Sequence, residues 1–296
     1  MMHFKSLSDV HRCNNYPEPE NPLLTLFTCN PLRNVASYEV TTDFFVIAFK
    51  KFRSGEIRYG KTHYDHESGS MYFLKPHQTI QMKDIALDGA GFEIWFHEDY
   101  LSGHSLHAEI KKYSYFNYEL NEALHISPKE QQIIWELYEK IEHEYHNNQD
   151  EFTRDIILGH IESILKYSLR FYKRQFINRF IVSGTTVTKF DRALAAYFEK
   201  GLLREKGLPT VAMLAAELNL SPRYLSDLLK QETGKTAMDL IQIFLVSEAK
   251  NLLNEGDLTV NEIAYLLGFE NPPYFSRLFK KETGLSPNQF KKLYSN

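Results

Sequence analysis

The sequence predicts an α+β protein in two parts: an antiparallel β-barrel with a pair of long helices, then an all-α part built of two helix-turn-helix units. Three observations carry this expectation. The chain has 296 residues, about twice the length at which one compact domain is typical. Up to about residue 100 it alternates turn signals with short segments rich in aromatic and β-branched residues. Near its end, a fourteen-residue segment recurs after fifty residues.

The first part begins with strand-like runs at residues 38–52, 71–74 and 91–96, bounded by turn signals at Ser54-Gly55, Ser68-Gly69, Lys75-Pro76 and Asp88-Gly89. A helix over residues 127–147 opens with the capping box Ser127-Pro128-Lys129-Glu130. A second, over 151–180, carries Phe152, Ile156, Ile157, Ile161, Ile164, Leu165 and Leu169 on one stripe. That stripe either covers the barrel or pairs with a second copy. Lys166, Arg170, Lys173, Arg174 and Arg179 form a basic run near its end, suited to a solvated face or a polyanion. Residues 181–189, with Ser183-Gly184-Thr185-Thr186, read as a flexible linker. The expected division is residues 1–182, a linker at 183–189, and residues 190–296.

The repeat defines the second part. SPRYLSDLLKQETG at 221–234 recurs as NPPYFSRLFKKETG at 271–284, with eight of fourteen positions identical. Each copy opens with a capping residue and proline, Ser221-Pro222 or Asn271-Pro272, and closes on glycine. Leu225, Leu228 and Leu229 form the apolar stripe of the first, and Phe275, Leu278 and Phe279 that of the second. A short amphipathic helix precedes each: Val211, Leu214, Ala215 and Leu218, then Val260, Ile263, Ala264 and Leu267. The turns between are only Asn219-Leu220-Ser221 and Gly268-Phe269-Glu270-Asn271, so each pair is a helix-turn-helix unit. A continuous helix over 237–254, about 27 Å long, connects them. That length suits two recognition helices one DNA turn, about 34 Å, apart.

Charge and composition bound the partners. Hydrophobic residues make up 43% and aromatics 14% of the chain, enough for a core, while the longest apolar run, 44–49, is too short to span a bilayer. No basic segment followed by an apolar stretch opens the chain, and Cys13 and Cys29 are the only cysteines. A cytoplasmic protein without membrane contact or disulfides is expected. The net charge of -4 argues against nucleic acid only if evenly spread. It is uneven: residues 1–183 hold 20 basic against 25 acidic side chains, and residues 184–296 hold 14 against 13. Within 271–296, Arg277, Lys280, Lys281, Lys291 and Lys292 stand against Glu282 alone.

Residues 190–296 resemble the DNA-binding domain of the AraC/XylS family of bacterial transcription regulators. The likeness is densest in LTVNEIAYLLGFENPPYFSRLFKKETGLSPNQF at 258–290, with Ile263-Ala264, Gly268-Phe269, Tyr274-Phe275, Phe279-Lys280, Gly284 and Ser286-Pro287. It implies seven helices, two of them in successive major grooves. The first part resembles, less specifically, that family's cupin-like sensor domain with a helical dimerisation pair at about 127–180. The resemblance implies a sequence-specific transcription regulator. Activation is the expected direction.

The candidate DNA-contacting residues are Arg223, Tyr224, Ser226, Asp227 and Lys230 in the first recognition helix. In the second they are Pro273, Tyr274, Ser276, Arg277, Lys280 and Lys281. Arg277 suits guanine, since a guanidinium donates two bonds to O6 and N7; Lys280 and Lys281 suit phosphate. Asp227 departs from the family, where a basic or amide residue is common. It is expected to pair with Arg223 or Lys230 on its own helix, with cytosine N4 as the other partner it could serve. Leu245 replaces an arginine frequent in the family, which removes a phosphate contact.

The expected partners are double-stranded promoter DNA, a second copy of the chain, RNA polymerase if the protein activates, and a small-molecule effector of unknown identity in the barrel. No cofactor or metal is expected. A metal-dependent cupin-type enzyme would use His63, His66, Glu67, His77 and His97, whose spacing departs from the cupin pattern. A sequence-tolerant architectural DNA binder is the remaining alternative.

Overall fold

The stretch expected as one strand over 38–52 breaks at Asp43, and its two halves join different sheets. The computed structural model describes residues 2–28, 34–35, 38–54, 69–82, 85–118, 122–183, 186–255 and 257–294. It divides into two compact units, Met1–Gln175 and Phe176–Asn296. The first contains β1 (Met2–Phe4), α1 (Leu7–Cys13), β2 (Leu24–Thr28), β3 (Asn34–Val35), β4 (Tyr38–Thr42) and β5 (Phe44–Ser54). There follow β6 (Ser70–Leu74), β7 (Ile80–Met82), β8 (Ile85–His97), α2 (Leu106–Glu109), β9 (Leu124–His125) and α3 (Pro128–Tyr145). Helix α4 (Thr153–Ser183) leads out of this unit.

Strands β1, β4 and β7 form a small sheet in that order, with β1 parallel to β4. The larger sheet has the order β2-β8-β5-β6-β9, with β3 also on β8. Among the described residues β2 and β9 do not pair, and the strands form two sheets with no closed barrel. The reason is local: the chain changes sheet at Asp43, and again in the turn between β6 and β7. Asp88 and Gly89, expected as a turn, lie within β8. The β5–β8 register shifts between Lys50 and Phe52 there, as a glycine in a strand commonly accompanies a bulge.

Alternation along β5 builds two apolar layers. Phe44, Val46 and Ala48 join Phe4, Leu7, Val10 and Val40. Phe45 and Phe49 face the other way, against Phe116 and Trp135, and Phe92 stacks on Tyr138 of α3 at 4.1 Å. Within the first layer Lys50 Nζ meets Glu93 Oε1 at 2.5 Å, and Trp95 Nε1 donates to Glu93 Oε2 at 2.6 Å. Burial opposes the charge on Glu93, but Lys50 and the Trp95 donor hold its carboxyl below the ordinary value.

The capping box of α3 forms as expected, Ser127 and Glu130 exchanging side-chain and backbone hydrogen bonds. On α4, Ile157, Ile161, Ile164 and Leu165 are buried in the unit, whereas Ile156 is 42% exposed and Phe152, just before the helix, 62%. Arg174 is engaged internally, with Nε 2.7 Å from Glu130 and Nη2 donating to the His125 carbonyl. Lys166 pairs with Glu162, and the Arg179 side chain lies outside the described residues.

The second unit is helical: α5 (Thr186–Glu199), α6 (Leu202–Lys206), α7 (Val211–Glu217), α8 (Pro222–Thr233), α9 (Ala237–Glu255), α10 (Val260–Leu266), α11 (Pro272–Thr283) and α12 (Pro287–Tyr294). Of the span read as a linker, Ser183 closes α4 and Thr186–Lys189 are helical, while Gly184 and Thr185 lie outside the described residues. One core runs through the unit, with Phe190, Leu229, Ile241, Leu245, Leu253, Phe275 and Phe279 among its members. The connecting helix α9 packs against α8 and against α10, α11 and α12. No helix among the described residues is long and apolar enough to cross a membrane.

Candidate nucleic-acid interface

Helices α7–α8 and α10–α11 are built by the same local chemistry. Thr210 and Thr259 cap α7 and α10, each accepting the N–H three residues on. Both helices end in the same hydrogen-bonded stop. Leu220 N–H donates to Ala215 O and Phe269 N–H to Ala264 O, each at 2.9 Å, with Asn219 (φ 55) and Gly268 (φ 81) left-handed before them. Ser221 and Asn271 then accept the N–H of Tyr224 and Tyr274 at 3.2 Å, starting α8 and α11. Both helices stop at left-handed glycine, Gly234 or Gly284. The expected stripes, Leu225, Leu228 and Leu229, and Phe275, Leu278 and Phe279, are buried.

Burial of one side of each helix leaves the opposite side facing outward. On α8, Arg223 and Lys230 are exposed and Ser226 and Asp227 half-buried. Arg223 Nε donates to Asp227 Oδ2 at 3.2 Å, the local pair expected from i, i+4 spacing. On α11, Pro273, Tyr274, Arg277, Lys280 and Lys281 are exposed and Ser276 half-buried. Lys281 Nζ is 3.3 Å from Glu282, and among the described residues Arg277 and Lys280 have no ion-pair partner. Tyr224 does not belong with these. It is 1% exposed, its ring edge-on to Phe176 at 5.2 Å, so it serves the core.

Two further residues change the picture of the basic end. Lys291 Nζ donates to the Leu258 carbonyl at 2.8 Å, tying α12 to the loop before α10. Tyr265 on α10, off the apolar stripe, is 58% exposed and adds an aromatic surface that the reading of the recognition helices alone passed over. Its signal in the sequence is an aromatic residue at a position the stripe leaves unused. Of the residues weighed for catalysis, His97 caps a short turn through the Asp99 N–H, and His63, His66 and Glu67 lie outside the described residues.

Residues 214–293 match a family model described as a helix-turn-helix domain. Over 93 residues the chain is 40% identical to the uncharacterized transcriptional regulatory protein YesN of Bacillus subtilis, covering 30% of this chain and 25% of that one. Over 81 residues it is 36% identical to the arabinose operon regulatory protein of Escherichia coli, 27% of this chain and 28% of that one. Over 113 residues it is 35% identical to the transcriptional activator RhaR of Escherichia coli, 38% of each. Residues 214–293 are thus similar to the helix-turn-helix domain of AraC-type transcriptional regulators. The chain spans only 25% to 38% of the length of these relatives. Within the AraC-type domain, Leu245 is buried in the core at the centre of α9, so the leucine there contributes packing where an arginine would contribute charge.

Proposed function

We propose that the chain is a sequence-specific, DNA-binding transcription regulator whose AraC-type domain grips promoter DNA with α8 and α11. The observation that carries this reading is the repeated unit, in which each second helix buries one stripe and turns a polar face outward, with Arg277 and Lys280 on α11 lacking an ion-pair partner among the described residues. Arg277 reads a base, and Lys230, Lys280 and Lys281 hold phosphates. The similarity to an activator favours activation, which brings RNA polymerase in as a partner.

Residues 1–182 act as a cupin-like sensor, taking a small-molecule effector between the sheets, and as the dimerising part. Exposed Phe152 and Ile156, at the start of α4, support a contact between copies. An effector changes regulation by binding the DNA-competent arrangement with a different affinity from the other. The cytoplasm is the setting. Electrophoretic or anisotropy titration of an upstream promoter fragment against random duplex, at several salt concentrations, tests the central claim. Tighter binding to the promoter at every salt supports it. Equal affinity with only a steep salt dependence identifies a sequence-tolerant binder instead.

A further inference from the structure

Two of the corners at which the chain changes sheet, β4 to β5 and β6 to β7, carry a metal-ligating side chain, and the first strand supplies a third. Asp43 stands between β4 and β5, His77 in the turn between β6 and β7, and His3 in β1. His3 Nε2 is 3.1 Å and His77 Nδ1 3.2 Å from Asp43 Oδ1. The three donor atoms all lie within 4.8 Å of one another, and the two imidazoles stack with planes 20° apart.

The backbone holds this arrangement from three sides. His3 lies opposite Thr41 in the parallel β1–β4 register. The Asp43 N–H donates to Phe4 O at 3.1 Å, and the His77 N–H to Thr42 O at 2.8 Å. His77 has φ 64, a left-handed conformation uncommon for a residue other than glycine. His3 Nδ1 lies 2.7 Å from the Thr41 hydroxyl oxygen, which is buried with its residue. With the ring proton on Nδ1 donated there, Nε2 presents its lone pair toward Asp43, as in metal sites where the second ring nitrogen is anchored by a neighbour.

Hydrogen bonding does not account for the cluster. Asp43 Oδ1 is shut off from solvent and accepts no hydrogen bond among the described residues, although two ring nitrogens stand just over 3 Å away. Ligands directed at a common ion produce this pattern. Atoms about 2.0–2.1 Å from a four-coordinate zinc stand roughly 3.3 Å from each other, with lone pairs converging on the ion instead of on one another.

We propose that His3, Asp43 and His77 bind a divalent transition-metal ion of the zinc class through His3 Nε2, Asp43 Oδ1 and His77 Nδ1. Two imidazoles and one carboxylate suit zinc, cobalt, nickel or copper, whereas magnesium and calcium take oxygen ligands. His77 is largely exposed, so a fourth position opens to solvent. The bound ion fastens β1 to the corner where both crossing strands leave the large sheet. Of the described histidines weighed for a cupin-type centre, His77 belongs to it and His97 does not.

Titration of the untagged, metal-stripped full chain with Co²⁺ tests the site. The expected result is one Co²⁺ per chain with the intense visible absorption of a four-coordinate ion, bleached by Zn²⁺. That absorption should vanish in His3→Gln and in His77→Asn, the asparagine being chosen because it tolerates positive φ. Thr41→Val, which keeps all three ligands, should weaken binding about 10- to 100-fold. Far-UV circular dichroism matching the parent separates loss of a ligand from loss of the fold. Absence of Co²⁺ absorption in the parent overturns the proposal, as does absorption unchanged in folded His3→Gln and His77→Asn. If either of those variants unfolds, unchanged affinity in both Thr41→Val and Asp43→Asn overturns it.

Discussion

The two helix-turn-helix units share their caps, stops and apolar stripes, yet differ at the positions that face outward. Asp227 in α8 occupies the place of Arg277 in α11. The acid holds Arg223 on its own helix, so the first unit presents a neutralised pair where the second presents Arg277, which has no ion-pair partner among the described residues. Tyr224 and Tyr274 also correspond, but the first is covered by Phe176 and the second is 44% exposed. The turns diverge as well: Gly268 approaches the backbone of residues 203–208, while its counterpart is Asn219. A repeat conserves what makes a helix stop and bury itself. It does not conserve what the helix offers to a partner.

Substitutions at matched positions can break or sharpen this contrast. The largest effect is expected at the turns. In Gly268→Ala the new methyl meets the Leu203 carbonyl oxygen at 3.0 Å and the backbone of Gly207 and Leu208 at 3.1 and 3.2 Å, at a φ of 81. A loss of about 2–3 kcal/mol is expected, read from urea midpoints at constant slope. Asn219→Ala should lose only about 1 kcal/mol, the conformational penalty alone. Equal losses would show that close approach is not what sets Gly268 apart.

On DNA, Arg277→Ala should cost about 1–3 kcal/mol at one base position, and Lys281→Ala should weaken all sequences alike. Arg223→Ala should cost less than Arg277→Ala, because Asp227 already engages Arg223. If Arg277→Ala weakens specific and random duplex equally, its base-reading role fails. Asp227→Asn should act in the opposite direction, strengthening binding to any duplex and steepening the salt slope by about one ion as Arg223 is released. A loss confined to one base position would assign Asp227 to cytosine instead.

The smallest contrast lies in the caps. The Thr259 N–H donates to Glu262 at 2.7 Å and holds that carboxyl below its ordinary value of 4.5, whereas α7 has Met213 at the matching place. The contribution of Glu262 is therefore complete above 4.5 and disappears as the pH falls through the lowered value. Hydrogen exchange on acidification should expose the start of α10 while leaving that of α7 unchanged. Simultaneous loss at both starts would remove Glu262 as the cause.

The helical unit was legible because its signals are short-range: capping residues, glycine stops and a stripe of period 3.6 each act within one or two turns. The pairing of Arg223 with Asp227 was legible for the same reason. Tyr224 was misjudged because burial under Phe176 depends on a residue 48 positions away in sequence. The division of the strands into two sheets, with no closed barrel among the described residues, was not legible because one residue, Asp43, redirects a run whose apolar alternation continues on both sides of it. The cluster of His3, Asp43 and His77 leaves no spacing motif, since sheet pairing alone brings its members together.

The ion pair of Lys50 and Glu93 bears on how the chain chooses its strand partners. The two lie on the same side of β5 and β8, with Ala48 opposite Glu93 and Lys50 opposite Gly91. A slip of one strand by a single residue inverts its faces and would carry one charge among Phe49, Phe92 and Trp135, leaving the other behind unneutralised. Sheets of almost uniform apolar content pair nearly as well in several offsets; here two opposite charges make the wrong offsets costly.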